Sequence, residues 1–241
     1  MIKEQLPLGF KTQHQVNFSS FITGQNGQTV AALHTCTQQR GELFSFICGA
    51  NGSGKSHLLQ ATVAEADRSG LSAAYLPMDE ISQLSPEIVL GLEQLSLICL
   101  DDIQRSIGST DWEEALFHLF NRLRESNCHF IVSADQPPSR LNIQLADLKS
   151  RLTWGPCYQL HPLDDQGQQQ ALIKAAERRG LSLSIETARY LQHRLPRNMH
   201  SLMNVIDWLD HHSLAAQRKL TIPFVRELMQ GWPERGALDD V

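Results

Sequence analysis

Short apolar runs alternate with stretches of helical apolar spacing through the first two thirds of the chain. Four runs, at 42–49, 72–77, 95–102 and 129–135, have the length and composition of strands that are buried on both faces. Between the last two, residues 112–126 carry apolar side chains at the spacing of an amphipathic helix. Because strands that alternate with helices are typical of a parallel sheet, the pattern predicts an α/β fold.

The pattern changes after residue 161, where only helical spacing remains. Four segments of this kind follow, at 166–180, 185–196, 198–212 and 222–229. The change predicts a second, smaller, all-α domain that begins near residue 162.

Composition narrows the class of protein. A formal net charge of −5 and a pI of about 6.0 argue against an extended basic surface for nucleic acid. The five cysteines are widely spaced and form no CxxC pair, which is typical of the reducing cytosol. The sequence opens with no signal-peptide pattern and contains no apolar run of membrane-helix length. We therefore expect a cytoplasmic protein that has no membrane partner.

The strongest chemical signal is the segment GANGSGKS at residues 49–56. It fits G-x-x-x-x-G-K-[ST] and lies between a predicted strand and a predicted helix, as a phosphate-binding P-loop requires. Its backbone N–H groups would surround a phosphate, Lys55 would reach the β- and γ-phosphates, and the Ser56 hydroxyl would bind Mg²⁺. The predicted nucleotide-binding residues here are Gly49, Asn51, Gly52, Ser53, Gly54, Lys55, Ser56 and His57.

A P-loop contacts the phosphates and not the base, so this segment does not by itself indicate adenine. The alternative to a P-loop is a glycine-rich turn in which Lys55 occurs by chance. The agreement of spacing and position favours the P-loop.

Two carboxylates, Asp101 and Asp102, end the third predicted strand. Beside a P-loop, Asp101 can hold Mg²⁺ through water, and Asp102 can position or polarise an attacking water. This Walker B arrangement makes Asp102 a candidate catalytic residue and Asp101, with Ser56, a candidate metal ligand. Alternatively, both carboxylates are solvated strand-end or helix-capping residues.

The fourth predicted strand also ends in polar residues, Ser133 and Asp135. At this edge of the sheet they are suitably placed to sense a γ-phosphate or to orient water. A turn-forming role before Pro137 and Pro138 is the alternative.

These motifs together resemble the AAA+ family of the bacterial initiator DnaA over most of the chain. The resemblance rests on the P-loop, on LDDIQ at 100–104, on SADQPP at 133–138 and above all on LADLKSRLTWG at 145–155. It implies a P-loop AAA+ parallel-sheet domain with a C-terminal all-α lid. The segment 218–228 and the length of the chain resemble more narrowly the DnaA-related regulators that inactivate the initiator.

The resemblance implies an arginine finger at Arg151, in the segment KSR at 149–151. In this family the finger faces the nucleotide of a neighbour, where its charge stabilises the transition state of phosphoryl transfer. Arg151 would then act in trans on ATP held by DnaA, and the chain alone would have weak or no ATPase activity. An ordinary surface arginine is the alternative.

One position departs from the family pattern. The lid arginine that senses the γ-phosphate aligns with His200, a group that titrates near neutrality, and Arg197 lies three residues before it. Both are candidate nucleotide-binding residues. The change favours a nucleoside diphosphate, ADP first, as a structural ligand. His200 is equally explained as a packing or surface histidine.

Residues 16–30 resemble the segment that lies near the nucleotide base in this family, which implies that Ile22 is a nucleotide-binding residue. The alternative is that Phe18 and Phe21 of this segment only pack a helix against the sheet.

The segment QLPLGF at 5–10 resembles the hexapeptide by which bacterial replication proteins bind the β sliding clamp. Gln5 would form a hydrogen bond at the pocket edge, and Leu6, Leu8 and Phe10 would fill apolar pockets. Alternatively, the segment forms a terminal strand or a hydrophobic staple on the domain, or pairs two copies of the chain.

The resemblance divides the chain into a clamp-binding tail at 1–12, an AAA+ nucleotide-binding domain at 13–161, a lid at 162–235 and a C-terminal tail at 236–241. Residues 230–241, after the last predicted helix, are too few for a helix-turn-helix unit, so we expect no direct sequence-specific DNA binding.

The hypothesis is a regulator of replication initiation that holds ADP and Mg²⁺, docks on the β sliding clamp and stimulates hydrolysis of DnaA-bound ATP. A homo-oligomer is left open. Two alternatives share the same core: a helicase-loading adaptor that binds single-stranded DNA, and a self-sufficient ATPase.

Overall fold

A five-stranded parallel sheet forms the centre of the molecule. The computed structural model describes residues 16–195, 199–216 and 220–232. The strands are β1 (Phe44–Cys48), β2 (Ala73–Pro77), β3 (Leu97–Asp101), β4 (His129–Ala134) and β5 (Cys157–Gln159). Their order across the sheet is β2-β3-β4-β1-β5, with every neighbouring pair parallel. The predicted parallel-sheet α/β fold is therefore confirmed.

The helices flank the sheet or follow it. They are α1 (Gly27–Cys36), α2 (Lys55–Arg68), α3 (Met78–Ile81), α4 (Thr110–Glu125), α5 (Ala146–Leu152), α6 (Asp165–Arg178), α7 (Ile185–Arg194), α8 (Met199–Ala216) and α9 (Ile222–Leu228). Short 3-10 turns complete the described chain.

Both faces of the sheet are buried, which explains why its strands read as continuous apolar runs rather than as alternating patterns. Phe46 and Ile98 point to the face covered by α4 and α5, whereas their neighbours Ile47 and Leu97 point to the face covered by α1 and α2. Successive strand residues point to opposite faces, so each run supplies two separate cores.

Strand β5 escaped prediction. It has three residues, two of them exposed, and pairs with β1 through Phe46 to Cys48 at one edge of the described sheet. The preceding Gly155 is packed so closely that an added Cβ would lie 2.6 Å from the carbonyl oxygen of Phe44. A strand this short leaves no apolar periodicity for sequence analysis to detect.

Helices α6 to α9 form a C-terminal helical lid with a core of its own. Leu172, Leu191, Leu202 and Val225 are fully buried in this core. The Asp164 and Ser184 side chains cap α6 and α7 by accepting hydrogen bonds from the N–H groups of Gly167 and Thr187. The predicted all-α lid is thus present as a packed unit.

Two hydrogen bonds of the Asn26 side chain join the leading segment, residues 16–30, to the segment just before the lid. The Asn26 Nδ2 group donates to the His161 carbonyl at 3.0 Å, and the His161 N–H donates to Asn26 Oδ1 at 2.8 Å. Asn26 is 3% exposed and lies just before α1. The amide therefore holds the end of the sheet domain against the leading segment, residues 16–30.

No described helix combines the length and the apolar character that crossing a bilayer requires.

Candidate nucleotide-binding site

The predicted P-loop connects β1 to α2 at the carboxyl edge of the sheet, where ligands bind in open α/β folds. Gly52 and Gly54 have φ values of 77° and 97°, which favour glycine. An added Cβ at Gly54 would also lie 2.8 Å from the Phe21 ring. A Cβ at Gly49 would lie 2.9 Å from the carbonyl oxygen of Leu160. Close packing therefore requires glycine at positions 49 and 54.

Lys55 is held inside this loop. Its Nζ donates to the Gly49 carbonyl at 3.0 Å and lies 3.7 Å from Asp102 Oδ1, while the side chain is only 6% exposed. A buried ammonium requires such partners, because desolvation of an unpaired charge is costly. The contacts fix the charge at the cavity wall.

Asp101 is buried at the end of β3, and two hydroxyl groups hold its carboxylate. Tyr75 donates to Oδ2 at 2.6 Å, and Ser133 donates to Oδ1. The Ser133 Oγ also accepts from the Asp102 N–H at 2.9 Å, which joins β3 to β4. Burial, with the adjacent Asp101 charge, raises the pKa of Tyr75, so this hydroxyl remains a donor.

Asp102, the residue after β3, points in a different direction from Asp101. It has a φ of 56° in the left-handed region, which aspartate tolerates better than most residues. Its side chain lines the cavity, whereas that of Asp101 does not. Asp102 Oδ1 is buried and has no hydrogen-bond partner among the described residues.

The residues present fit a Mg²⁺ ion. Carboxylate and hydroxyl oxygens are the ligands that Mg²⁺ prefers, with several waters retained. Asp101 ends β3 and Ser56 lies in the first turn of α2, at the end of the P-loop, so both predicted metal ligands lie at the carboxyl edge of the sheet. Asp102 Oδ1, which is buried and accepts no hydrogen bond from the described residues, is a further acceptor that a metal-bound water would satisfy.

A cavity of about 310 Å³ opens between the P-loop, the leading segment and the lid. The cavity is lined by most of the nucleotide-binding residues predicted in the P-loop and the leading segment, and by the candidate catalytic residue Asp102. They are Ile22, Asn51, Gly52, Ser53, Gly54, Lys55, Ser56, His57 and Asp102. Gly49 lies behind the loop, where its carbonyl holds Lys55.

His57 ties the first helix turn after the P-loop to the leading segment. Its Nε2 lies 2.9 Å from Ser20 Oγ, and its ring packs at 5.6 Å from that of Phe21. Burial, with the nearby Arg178 charge, lowers the pKa of His57 to about 4. The imidazole is therefore neutral at neutral pH.

The lid contributes residues that sequence analysis did not identify. Leu163, Ala171, Met199 and Met203 supply an apolar wall, and Arg178 supplies a cation. Ala171 and Arg178 are seven residues apart in α6 and so lie on one helix face, but nothing in the sequence shows that this face meets the P-loop.

The structure does not describe the side chains of the nucleotide-binding candidates that were predicted in the lid. Arg197 lies outside the described residues. Of His200 the structure describes only the backbone, in the first turn of α8. The clamp-binding candidates Gln5, Leu6, Leu8 and Phe10 also lie outside the described residues.

Two further candidates do not line the cavity. Asp135 is exposed just after β4. Arg151 lies in α5, half-buried, with its guanidinium 5.9 Å from the centroid of the Phe117 ring on α4. Sequence analysis missed the group that positions this helix: the buried Glu113 carboxylate accepts from the N–H groups of Gln144 and Leu145 at 2.9 and 2.7 Å, just before α5.

Comparison with known families identifies both halves of the chain. The family model described as the bacterial DnaA ATPase domain matches residues 12–159. The model described as the lid domain of Hda matches residues 165–229.

Solved structures share the fold. Domain III of DnaA from Thermotoga maritima is 22% identical with a TM-score of 0.78, and the match covers 90% of this chain and 96% of that one. AMPPCP-bound DnaA from Aquifex aeolicus is 25% identical with a TM-score of 0.67, covering 81% of this chain and 65% of that one. The Holliday junction branch migration motor RuvB from Thermotoga maritima is 15% identical with a TM-score of 0.67, covering 91% and 73%.

Proposed function

Because this chain belongs to the family of bacterial DnaA ATPase domains and its C-terminal part matches the Hda lid, we propose that it binds a nucleoside diphosphate and promotes hydrolysis of ATP on DnaA. The chain is a DnaA-related AAA+ protein of replication control. One observation carries the finer proposal: Arg151 lies outside the nucleotide cavity of its own chain, beside the Phe117 ring.

The cavity suits a nucleotide of which the phosphates contact the loop and the base contacts the lid. The P-loop N–H groups and Lys55 would bind the phosphates. Phe21 and Ile22, with the apolar lid residues, offer a surface for the base. ADP is the proposed ligand, since the histidine at position 200 replaces the family's permanently charged lid arginine.

Ser56 and Asp101 would hold Mg²⁺, the latter through water. The ion, when bound, neutralises charge on the phosphate oxygens. Tyr75 and Ser133 hold the Asp101 carboxylate in place at the end of β3.

Arg151 would act on a partner. Leu148 and Leu152 are buried and anchor α5, and Arg151 between them is left half-buried beside the exposed Trp154. In the proposed complex, a water attacks the γ-phosphorus of ATP on DnaA and the bond to the β-phosphate oxygen breaks, giving ADP and phosphate. Arg151 stabilises the charge that develops, an effect worth about 10³ to 10⁵ in rate for a finger acting in trans.

Docking of residues 5–10 on the β sliding clamp completes the proposal. Ordering six residues costs on the order of 6 to 12 kcal/mol of backbone entropy, so the peptide alone binds weakly. Simultaneous binding to the clamp and to DnaA raises the effective concentration of Arg151 without any new contact.

The test is hydrolysis of ATP preloaded on DnaA, with clamp on DNA and this protein bound to ADP. Wild type should stimulate, whereas Arg151→Ala and the Leu8→Ala/Phe10→Ala double variant should not. Arg140→Ala removes an exposed arginine elsewhere and serves as the charge-matched control. No stimulation by wild type would contradict the proposal and favour a helicase-loading adaptor.

A self-sufficient ATPase is the second candidate, favoured by the close approach of Lys55 and Asp102 at the cavity. It predicts steady-state turnover by the isolated protein that both Lys55→Ala and Asp102→Ala abolish. The main proposal expects little turnover to abolish.

A further inference from the structure

Arg178 is the last residue of α6 and a lining residue of the nucleotide cavity. Its Nη1 is buried and has no hydrogen-bond partner among the described residues. Guanidinium groups away from water normally have acceptors, because an unsatisfied buried donor is unfavourable. An acceptor supplied by a ligand would satisfy this one.

The neighbouring arginine shows the contrast. Arg179 donates from Nε to Asp207 Oδ1 at 2.9 Å and from Nη1 to the Ala175 carbonyl at 2.8 Å. Arg178 has no carboxylate within salt-bridge distance in the described part of the chain. Consecutive helix residues point about 100° apart, so Arg179 faces α8 while Arg178 faces the cavity.

The basic side chains around the cavity differ in their charge and in whether a protein group already contacts them. Lys55 already contacts Gly49 and Asp102. His57, the basic side chain beside Arg178, is neutral because burial and the Arg178 charge lower its pKa. Among the described lining residues, Arg178 is thus the cation without a partner.

We propose that Arg178 is the lid's phosphate-binding residue, and that its guanidinium donates to a phosphate oxygen of the nucleotide held by the P-loop. Guanidinium groups prefer anionic oxygens, with which they form charge-assisted and often bidentate hydrogen bonds. The rest of the lid wall is apolar and suits the base instead. The inference rests on the proposed binding of a nucleoside diphosphate in this cavity.

Binding of ADP and of adenosine to the full chain separates phosphate from base contacts. Arg178→Gln should weaken ADP binding about 10- to 100-fold, the range for one lost charge-assisted hydrogen bond, and leave adenosine binding unchanged. Arg179→Gln is the matched control and should change neither affinity more than about twofold.

The outcomes are distinct. Absence of ADP binding to wild type would overturn the proposed function itself. Normal ADP binding by Arg178→Gln, or equal losses for ADP and adenosine, would overturn only the phosphate contact of Arg178.

A second measurement needs no variant and covers the case in which Arg178→Gln fails to fold. Phenylglyoxal modifies accessible arginines, and mass spectrometry locates the modified residue. ADP should protect Arg178 in the wild-type chain, whereas adenosine should not. Equal modification with and without ADP would overturn the inference.

Discussion

The nucleotide cavity and the surface around Arg151 use positive charge in opposite ways. In the cavity, Lys55 is 6% exposed and its position is set by a carbonyl and by Asp102. On the α4–α5 surface, Arg151 is half-buried and its guanidinium lies over Phe117, with no carboxylate in salt-bridge contact in the described chain. A charge held by several polar partners is pre-organised for one ligand. A charge beside aromatic rings keeps its hydrogen-bonding groups for a partner.

The supporting groups differ as well. The cavity depends on buried hydroxyls and on glycines with close neighbours, whereas α5 depends on Glu113, whose carboxylate fixes the backbone just before that helix. Side-chain contacts therefore position the groups of the cavity, whereas a contact to the backbone positions α5.

The largest effects are expected when the charge of Lys55 or that of Arg151 is removed separately. Lys55→Ala should abolish ADP binding, and Arg151→Ala should lower the stimulated hydrolysis rate on DnaA by about 10³-fold or more while ADP binding stays normal. Equilibrium binding and single-turnover hydrolysis measure the two properties. Loss of ADP affinity in Arg151→Ala would break the comparison.

Gly54→Ala should reduce the free energy of unfolding by about 2 to 5 kcal/mol. The reasons are the left-handed backbone and the Cβ that would lie 2.8 Å from Phe21. Gly70→Ala is the control, since Gly70 also has a positive φ but has no atom within 4 Å of an added Cβ. It should cost about 1 to 2 kcal/mol. Urea unfolding of both variants measures the contribution of close packing, and equal losses would contradict it.

Stability should depend on the protonation of His57. Its pKa is about 4 in the folded chain and 6.5 for an ordinary histidine, so the unfolded chain binds more protons between these values. The contribution is fully present above pH 6.5 and is lost as the pH falls toward 4, by at most about 3 kcal/mol. Urea unfolding at several pH values should show a shallower acid loss for His57→Gln. An identical profile would contradict this assignment.

The smallest effect concerns the hydroxyl pair on Asp101. Tyr75→Phe removes a hydrogen bond to a buried carboxylate and should reduce the free energy of unfolding by about 2 kcal/mol. Tyr190→Phe, in the lid, should change it by less than about 0.5 kcal/mol. Differential scanning calorimetry compares the two. An unchanged Tyr75→Phe would show that Ser133 alone holds Asp101.

Local patterns predicted the elements well where burial is two-sided. The runs that became β1 to β4 are apolar on both faces, and the P-loop motif is contiguous, so neither needed knowledge of tertiary contacts. Tyr75 could not be predicted, because its contact with Asp101 arises from the register that pairs Pro77 with Asp101. Arg178 was missed for a related reason: which face of α6 meets the P-loop depends on how the lid docks.

Asp101 and Asp102 illustrate the limit of motif reasoning. Their adjacent positions predicted two carboxylates at one site, but only the backbone shows that Asp101 turns inward to Tyr75 and Ser133 while Asp102 turns to the cavity. Asp102 also has a left-handed φ of 56°, and β3 ends at the preceding Asp101.

The pair of hydrogen bonds between Asn26 and His161 bears on the order in which the chain can fold during synthesis. Its two partners are 135 residues apart, so the leading segment has no lasting attachment there until the ribosome has passed β5. The cavity then waits for Met199 and Met203 of the lid. Domains usually fold from the N-terminus as they emerge, so the sheet domain can fold before the lid residues that complete this nucleotide site have been synthesised.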